Sequence, residues 1–350
     1  MSKVISIGIL GYTHLHVPRF AASIADHHQA RLVGIADAGV NVAAARDAAE
    51  HHKTRFFDTY GELLDQEDLD AVYLGNEPVF HREAVAMAAS RGVHVLCDKP
   101  IATTLDDADA IIESARSGGI KLMVSFFPRF QLPLLKVKEA LDSGDAGDLV
   151  SVYAVKYGRV PTKAVGPQSA DWFLDPTLTG GGGFLDIGIH AMDALRWLAG
   201  AEPHQVHAHV GTMINADLDV EDFGVATIEF DNGVIAALTA GWANPDGYPT
   251  WLDVKFEILT TKQVFLIDKP HHDFTLYTNN GNERQAWLKP DVDNLLTAFI
   301  DAIVTGREPP ITGQDGRAAL AMTLAAYESS HTGNVIDLRQ DMASLGMDDA

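Results

Sequence analysis

Residues 4–127 alternate between two periodicities, and that alternation limits the possible folds more than any other feature of the chain. The runs VISIGIL (4–10), ARLVGIAD (30–37), LDAVYLG (69–75), GVHVLCD (92–98) and IKLMVSFF (120–127) are short, nearly continuously apolar and bounded by Gly, Asp or Pro. Strands that show water neither face read this way, because both sides of a parallel sheet are covered. Between them lie Ala-rich stretches with helical spacing, Val42 to Glu50, His81 to Ser90 and Asp106 to Ser117, the last preceded by Thr103 and Thr104 as candidate N-caps. Strand and helix in strict alternation predict a doubly wound parallel α/β sheet that takes ligands at the carboxyl ends of its strands.

After Pro128 the pattern changes. One helix, about 132–143, leads into the long strand-like LVSVYAVKYGRV, and QVHAHVGTM (205–213), FGVATIEF (223–230), VIAALTAGW (234–242) and TWLDVKFEIL (250–259) follow with turn signals at 231–233 and 244–247. At 350 residues the chain exceeds what a single core holds. The expected division is 1–127, a second domain 128–340 and an acidic tail 341–350. The second domain is predicted to be α+β, with a large, open, mostly antiparallel sheet. The Gly- and Pro-rich stretch 161–183 is long enough to be a functional loop.

Composition excludes several classes. Forty-eight acidic against 26 basic residues give a net charge of −22, which repels nucleic-acid phosphates and anionic lipid surfaces. No apolar run approaches the roughly 18 residues that a membrane helix needs, and no leader-like segment precedes the first strand, so a cytoplasmic enzyme is expected. Cys97 is the single cysteine, which precludes an intrachain disulfide.

The first strand enters Gly11-Tyr12-Thr13-His14-Leu15-His16, where a dinucleotide fold carries G-x-G-x-x-G; Thr13 and His16 stand at the second and third glycine positions. Asp37, at the end of the second strand, is placed to bind the ribose hydroxyls of NAD and to repel the extra phosphate of NADP. His14-x-His16 with a carboxylate could in principle hold a metal, but spacing assigns no third ligand, and no metal site is expected.

Two further segments, HVLCDKPIATT (94–104) and TGGGGFLDIGIHAMDALRWL (179–198), together with the ending EPPITGQDGRAALAMTLAAYESSHTGNVIDL, give a chain that resembles the Gfo/Idh/MocA oxidoreductases over nearly its whole length. The resemblance implies an N-terminal Rossmann domain binding NAD through Gly11, Tyr12, Thr13, His14, Asp37, Asn76, Glu77, His81, Asp98 and Lys99. It further implies a C-terminal domain acting on a sugar or polyol, with homodimer or homotetramer assembly through paired sheets. In that setting Lys99 would hold the reacting hydroxyl, His190 would take its proton, and Asp186, one helical turn before His190, would orient substrate or imidazole. Some relatives instead retain NAD and use transient oxidation for elimination, epimerisation or glycosidic cleavage. Asp98 stands where the family usually has Glu, and Glu77 where a proline is common. His81 either reaches the cofactor or starts a helix. Arg129 is a substrate or cofactor contact or an interdomain ion pair, and Trp172 is a wall for a sugar face or a loop anchor.

Overall fold

The computed structural model describes residues 3–339 apart from 67, 164–168, 249, 269–272, 279–280 and 287–290. In the N-terminal part β1 (Ile5–Leu10), β2 (Ala30–Ala36), β3 (Arg55–Phe57), β4 (Ala71–Leu74), β5 (His94–Cys97) and β6 (Leu122–Val124) form a six-stranded sheet in the order β3-β2-β1-β4-β5-β6. All neighbours are parallel. The helices are α1 (Val17–Asp26), α2 (Val42–His51), α3 (Tyr60–Leu64), α4 (His81–Ala89) and α5 (Leu105–Ser117). Every residue of β1 is buried, as its unbroken apolar run requires. α1 buries Val17, Phe20, Ala21 and Ile24, one stripe of a 3.6-residue period, and Phe20 stacks on Tyr73 with ring centres 4.0 Å apart. Of the two candidate threonines, Thr104 caps α5 by accepting from the Asp107 N–H.

Beyond Phe126 the chain runs through α6 (Leu132–Asp142), β7 (Leu149–Tyr157), α7 (Pro176–Thr179), α8 (Gly183–Ala199), β8 (Pro203–Gly211), β9 (Phe223–Phe230), β10 (Ile235–Gly241), β11 (Asp253–Thr260), β12 (Gln263–Asp268), β13 (Asp273–Thr278), β14 (Gly281–Ala286), α9 (Asp291–Thr305), α10 (Gly313–Thr332) and β15 (Ile336–Asp337). A nine-stranded sheet has the order β14-β13-β12-β11-β7-β10-β9-β8-β15. It is antiparallel except where β10 runs parallel to β7. Strand β9 alternates strictly between covered and open positions, as a sheet with one solvated face should. α8 packs across β10, β7 and β9, against buried Ala226, Ile228, Leu238 and Ala240.

The chain divides into two compact units, and the division is not a single cut. Met1–Phe126 is joined in the first unit by Pro161–Gly180 and Asp291–Arg317, and the remainder forms the second. The switch at Phe126 lies beside the boundary expected near 127, whereas the two later segments return to the first unit. Polar contacts on α9 show why: Ser23 Oγ donates to Asp293 at 2.7 Å, and His27 Nε2 lies 3.1 Å from Thr297 Oγ1. The acidic stretch 341–350 lies outside the described residues. Among those residues no helix is long and apolar enough to cross a membrane.

Candidate active site

In the first unit the ends of β1, β2 and β4 form a cradle. Gly11 has φ of +80° and lies so near β4 that an added Cβ would stand 2.5 Å from the Asn76 Cβ, so only glycine fits. The next N–H, that of Tyr12, donates to Asp37 Oδ2 at 3.3 Å, and Gly39 N–H donates to Oδ1 at 2.8 Å. Asp37 is buried, and burial pushes its pKa up against these backbone bonds. A cleft of about 290 Å³ opens here between Asp37, Gly39, Tyr60, Asn76, Glu77 and Phe80. Asn76 Oδ1 is buried with no hydrogen-bond partner among the described residues. A desolvated carboxylate and an orphaned amide oxygen beside an open cleft call for hydroxyl or amino donors, and a ribose and its base supply both. The residues therefore fit a dinucleotide. His81 is a latch: it begins α4, is fully buried, and sets Nδ1 3.1 Å from the Ile101 carbonyl and Nε2 3.2 Å from that of Asn76. Burial lowers its pKa. Burial raises the pKa of Glu77.

One strand further along, Asp98 leaves β5 fully buried. It accepts from the Lys99 N–H at 2.8 Å, the Ser125 hydroxyl at 2.5 Å and the Tyr73 hydroxyl. Both histidines of the β1–α1 loop reach it: His16 Nδ1 is 3.2 Å from each oxygen, and His14 Nδ1 3.1 Å from Oδ2. Burial opposes ionisation, yet the imidazoles of His14 and His16 and the Lys99 ammonium outweigh it and hold the Asp98 carboxyl well below the usual range. Spacing alone did not assign a carboxylate to His14-x-His16; the sheet order does, because β1 and β5 both flank β4. With hydroxyl and N–H donors also occupying it, Asp98 is the acceptor at the centre of a hydrogen-bonded network. Tyr73 and Ser125, interior members of apolar runs, gave no sign of this in the sequence. Trp172 packs on His14 and Phe173, with ring centres 5.8 and 3.9 Å apart, and is 7% exposed, the arrangement of a loop anchor. Lys99 is itself buried at the end of this turn.

The second unit holds Asp186 and His190 on successive turns of α8, whose N-terminus is set by the glycine run. An added Cβ at Gly182 would stand 2.2 Å from the Glu221 carbonyl oxygen, and one at Gly183 2.6 Å from that of Asp222. Glu221 uses this close approach: its carboxylate accepts from the Gly182 N–H at 2.7 Å and from the Tyr327 hydroxyl at 2.6 Å. It caps the helix from another strand's end, a role invisible in the sequence. Trp242 Nε1 donates to Asp186 Oδ2 at 2.9 Å, and His190, buried, faces the Phe127 ring at 6.0 Å. Arg129 donates through Nε and Nη2 to the Asp193 carboxylate at 2.8 and 2.6 Å. Both residues of this pair belong to the second unit; α8 and the turn before α6 pack together and bring the two side chains face to face.

Residues 5–126 match the model of an oxidoreductase family with an NAD-binding Rossmann fold, and residues 134–265 match the GFO/IDH/MocA C-terminal domain. The chain is 30% identical to 1,5-anhydro-D-fructose reductase of Ensifer adhaerens, over 79% of this chain and 82% of the relative. It is 28% identical to D-xylose 1-dehydrogenase (NADP(+)) 2 of Haloferax volcanii, over 91% and 92%. The structure of aldose-aldose oxidoreductase from Caulobacter crescentus superposes with a TM-score of 0.82 at 24% identity, covering 96% of this chain and all of that one. With both halves of the chain matched, the protein belongs to the Gfo/Idh/MocA family of oxidoreductases.

Proposed function

We propose that the protein oxidises a secondary hydroxyl of a sugar, inositol or related polyol with NAD. The observation that carries the cofactor choice is Asp37: a buried carboxylate at the end of β2, beside a cleft that Glu77 and Glu83 also line. Ribose hydroxyls would relieve its desolvation, whereas a 2′-phosphate would bring like charges together. The relatives' names support a sugar-like substrate, since they are named for reactions of anhydrofructose and xylose.

When bound, the nicotinamide supplies the hydride acceptor. The chain's own residues handle the substrate oxygen and its proton. In this reading Lys99 holds the hydroxyl oxygen and His190 accepts its proton. Asp186 keeps an orientation fixed by the Trp242 indole, which is what a positioning carboxylate needs. Asn76 and Glu77 flank the cofactor, with His81 holding their loop in register. Arg129 holds Asp193 of α8 and Trp172 packs on His14 of the β1–α1 loop, and both remain candidates to contact substrate.

Titrating NAD and NADP side by side tests the cofactor reading. Tighter NAD binding is expected, with the preference narrowed in Asp37→Ala. Equal or tighter NADP binding would remove Asp37 from its role.

A further inference from the structure

The cleft read above as the seat of the cofactor's ribose is walled by acids from two different strand ends. Asp37 follows β2 and Glu77 follows β4, and both line the same space of about 290 Å³, with Glu83 of α4 at its side. Among the described residues that line it there is no lysine, arginine or histidine. Backbone contacts hold both carboxylates in place. Asp37 accepts the Tyr12 N–H at Oδ2 and the Gly39 N–H at Oδ1. At Glu77 the following Pro78 confines the backbone to the extended region, and φ is −68° with ψ 140°. The Glu77 carbonyl accepts the Phe80 N–H at 3.0 Å, and the Asn76 carbonyl lies 3.2 Å from His81 Nε2. The peptide groups on either side of the Glu77 Cα are thus tied down, and its side chain leaves a fixed point in the cleft wall.

The two acids act on one small volume. Tyr60 lines the cleft with them, and burial, followed by the charges of Asp37 and Glu77, pushes its phenol above the usual range. Burial raises the Glu77 carboxyl, and the charge of Asp37 adds to that rise. Ionised carboxylates accept hydrogen bonds and donate none. A ribose with two free hydroxyls donates to such walls, whereas a 2′-phosphate brings acceptor oxygens and a charge of about −1.5 to −2. Each wall repels that charge on its own account. Both Asp37 oxygens already accept a backbone N–H, so a second carboxylate adds acceptor capacity as well as charge. We propose that Glu77 is a second specificity-determining residue of this cleft, facing the adenosine ribose from the β4 side as Asp37 does from the β2 side, so that exclusion of a 2′-phosphate is shared between them. This rests on the NAD reading above and assigns to Glu77 a part of the discrimination that Asp37 alone would otherwise carry.

The test is equilibrium titration of the full chain with NAD and with NADP at pH ~8, where the carboxyl groups are ionised. The proteins compared are the wild type, Glu77→Gln, Asp37→Ala, the double variant and Glu83→Gln. Glu77→Gln should tighten NADP binding in absolute terms and lower the ratio of the NADP to the NAD dissociation constant roughly tenfold, the effect of removing one like charge several ångströms away near a protein surface. Damage to the cleft would not produce such a gain in affinity. Asp37→Ala should narrow the ratio, and the double variant should narrow it further or reverse it. Glu83 is exposed, so its replacement should move the ratio less. Raising salt from ~0.05 to ~0.5 M should shrink the wild-type preference more than that of Glu77→Gln, because screening acts on the charge that the variant lacks. A ratio left unchanged by Glu77→Gln, an equal change from Glu83→Gln, or a double variant no different from Asp37→Ala would overturn the proposal and leave Asp37 and the NAD reading in place. Wild-type protein that binds NADP as tightly as NAD, or binds neither, would instead remove both.

Discussion

At the scale of single residues, Asp98 and Lys99 sit side by side and do different work. Replacing Asp98 with Asn keeps the shape but leaves the Tyr73 and Ser125 hydroxyls, the Lys99 N–H and His16 competing for one amide oxygen. Breaking a buried charged network by removing one partner costs about 3–5 kcal/mol, and chemical denaturation at neutral pH should show a loss of that order. Because the Asp98 pKa is depressed in the folded state, its stabilisation is present above the unfolded carboxylate pKa of ~3.9 and fades as pH falls below it. The stability gap between wild type and Asp98→Asn should accordingly narrow in acid; a gap that stays constant would contradict the assignment. Lys99→Ala and His190→Ala are expected to lower turnover by about 10²–10⁴-fold each, and less than multiplicatively together if they serve one proton path. Retention of near-normal turnover by His190→Ala, with the rate still falling at low pH, would make the imidazole structural.

Among the elements, α8 is the one whose placement the chemistry depends on. Glu221 and Trp242 come from the ends of strands and hold its first turn. Glu221→Ala should destabilise by about 1–2 kcal/mol, as lost N-caps do. Trp242→Phe should leave the fold intact and depress kcat by releasing Asp186; unchanged kcat would reduce Asp186 to a helix-start residue. The sequence exposed α8 through its glycine run and the spacing of Asp186 and His190, but not its supports, because a cap contributed from residue 221 has no local signature. β3 escaped for a related reason: three residues, Arg55-Phe56-Phe57, carry no period. The other five strands of the parallel sheet were legible because strands buried on both faces need unbroken apolar runs, and β1 shows this residue by residue. The return of 161–180 and 291–317 to the first unit was not legible, since chain reversals are decided by tertiary packing.

For the whole molecule, the nine-stranded sheet leaves one face open. Tyr153, Val225, Ile235, Leu259 and Tyr277 are 40–55% exposed on one face of this sheet, whose other face carries α8 on β7, β9 and β10. Exposed apolar side chains gathered on one sheet face mark an interface, and a homodimer or homotetramer formed by pairing this face is expected. Light scattering at micromolar concentration should give a multiple of the chain mass, reduced by Ile235→Glu; a monomer would contradict it. The claim on which the rest depends is hydride transfer from a carbon bearing a hydroxyl. The purified protein should be incubated with NAD and a panel of sugars, inositols, aldonates and glycosides, following NADH absorbance and product mass together. NADH accumulating in step with a product two hydrogens lighter than its substrate is the expected result. Product formed without net NADH, or no reduction of NAD by any member of the panel, would contradict it.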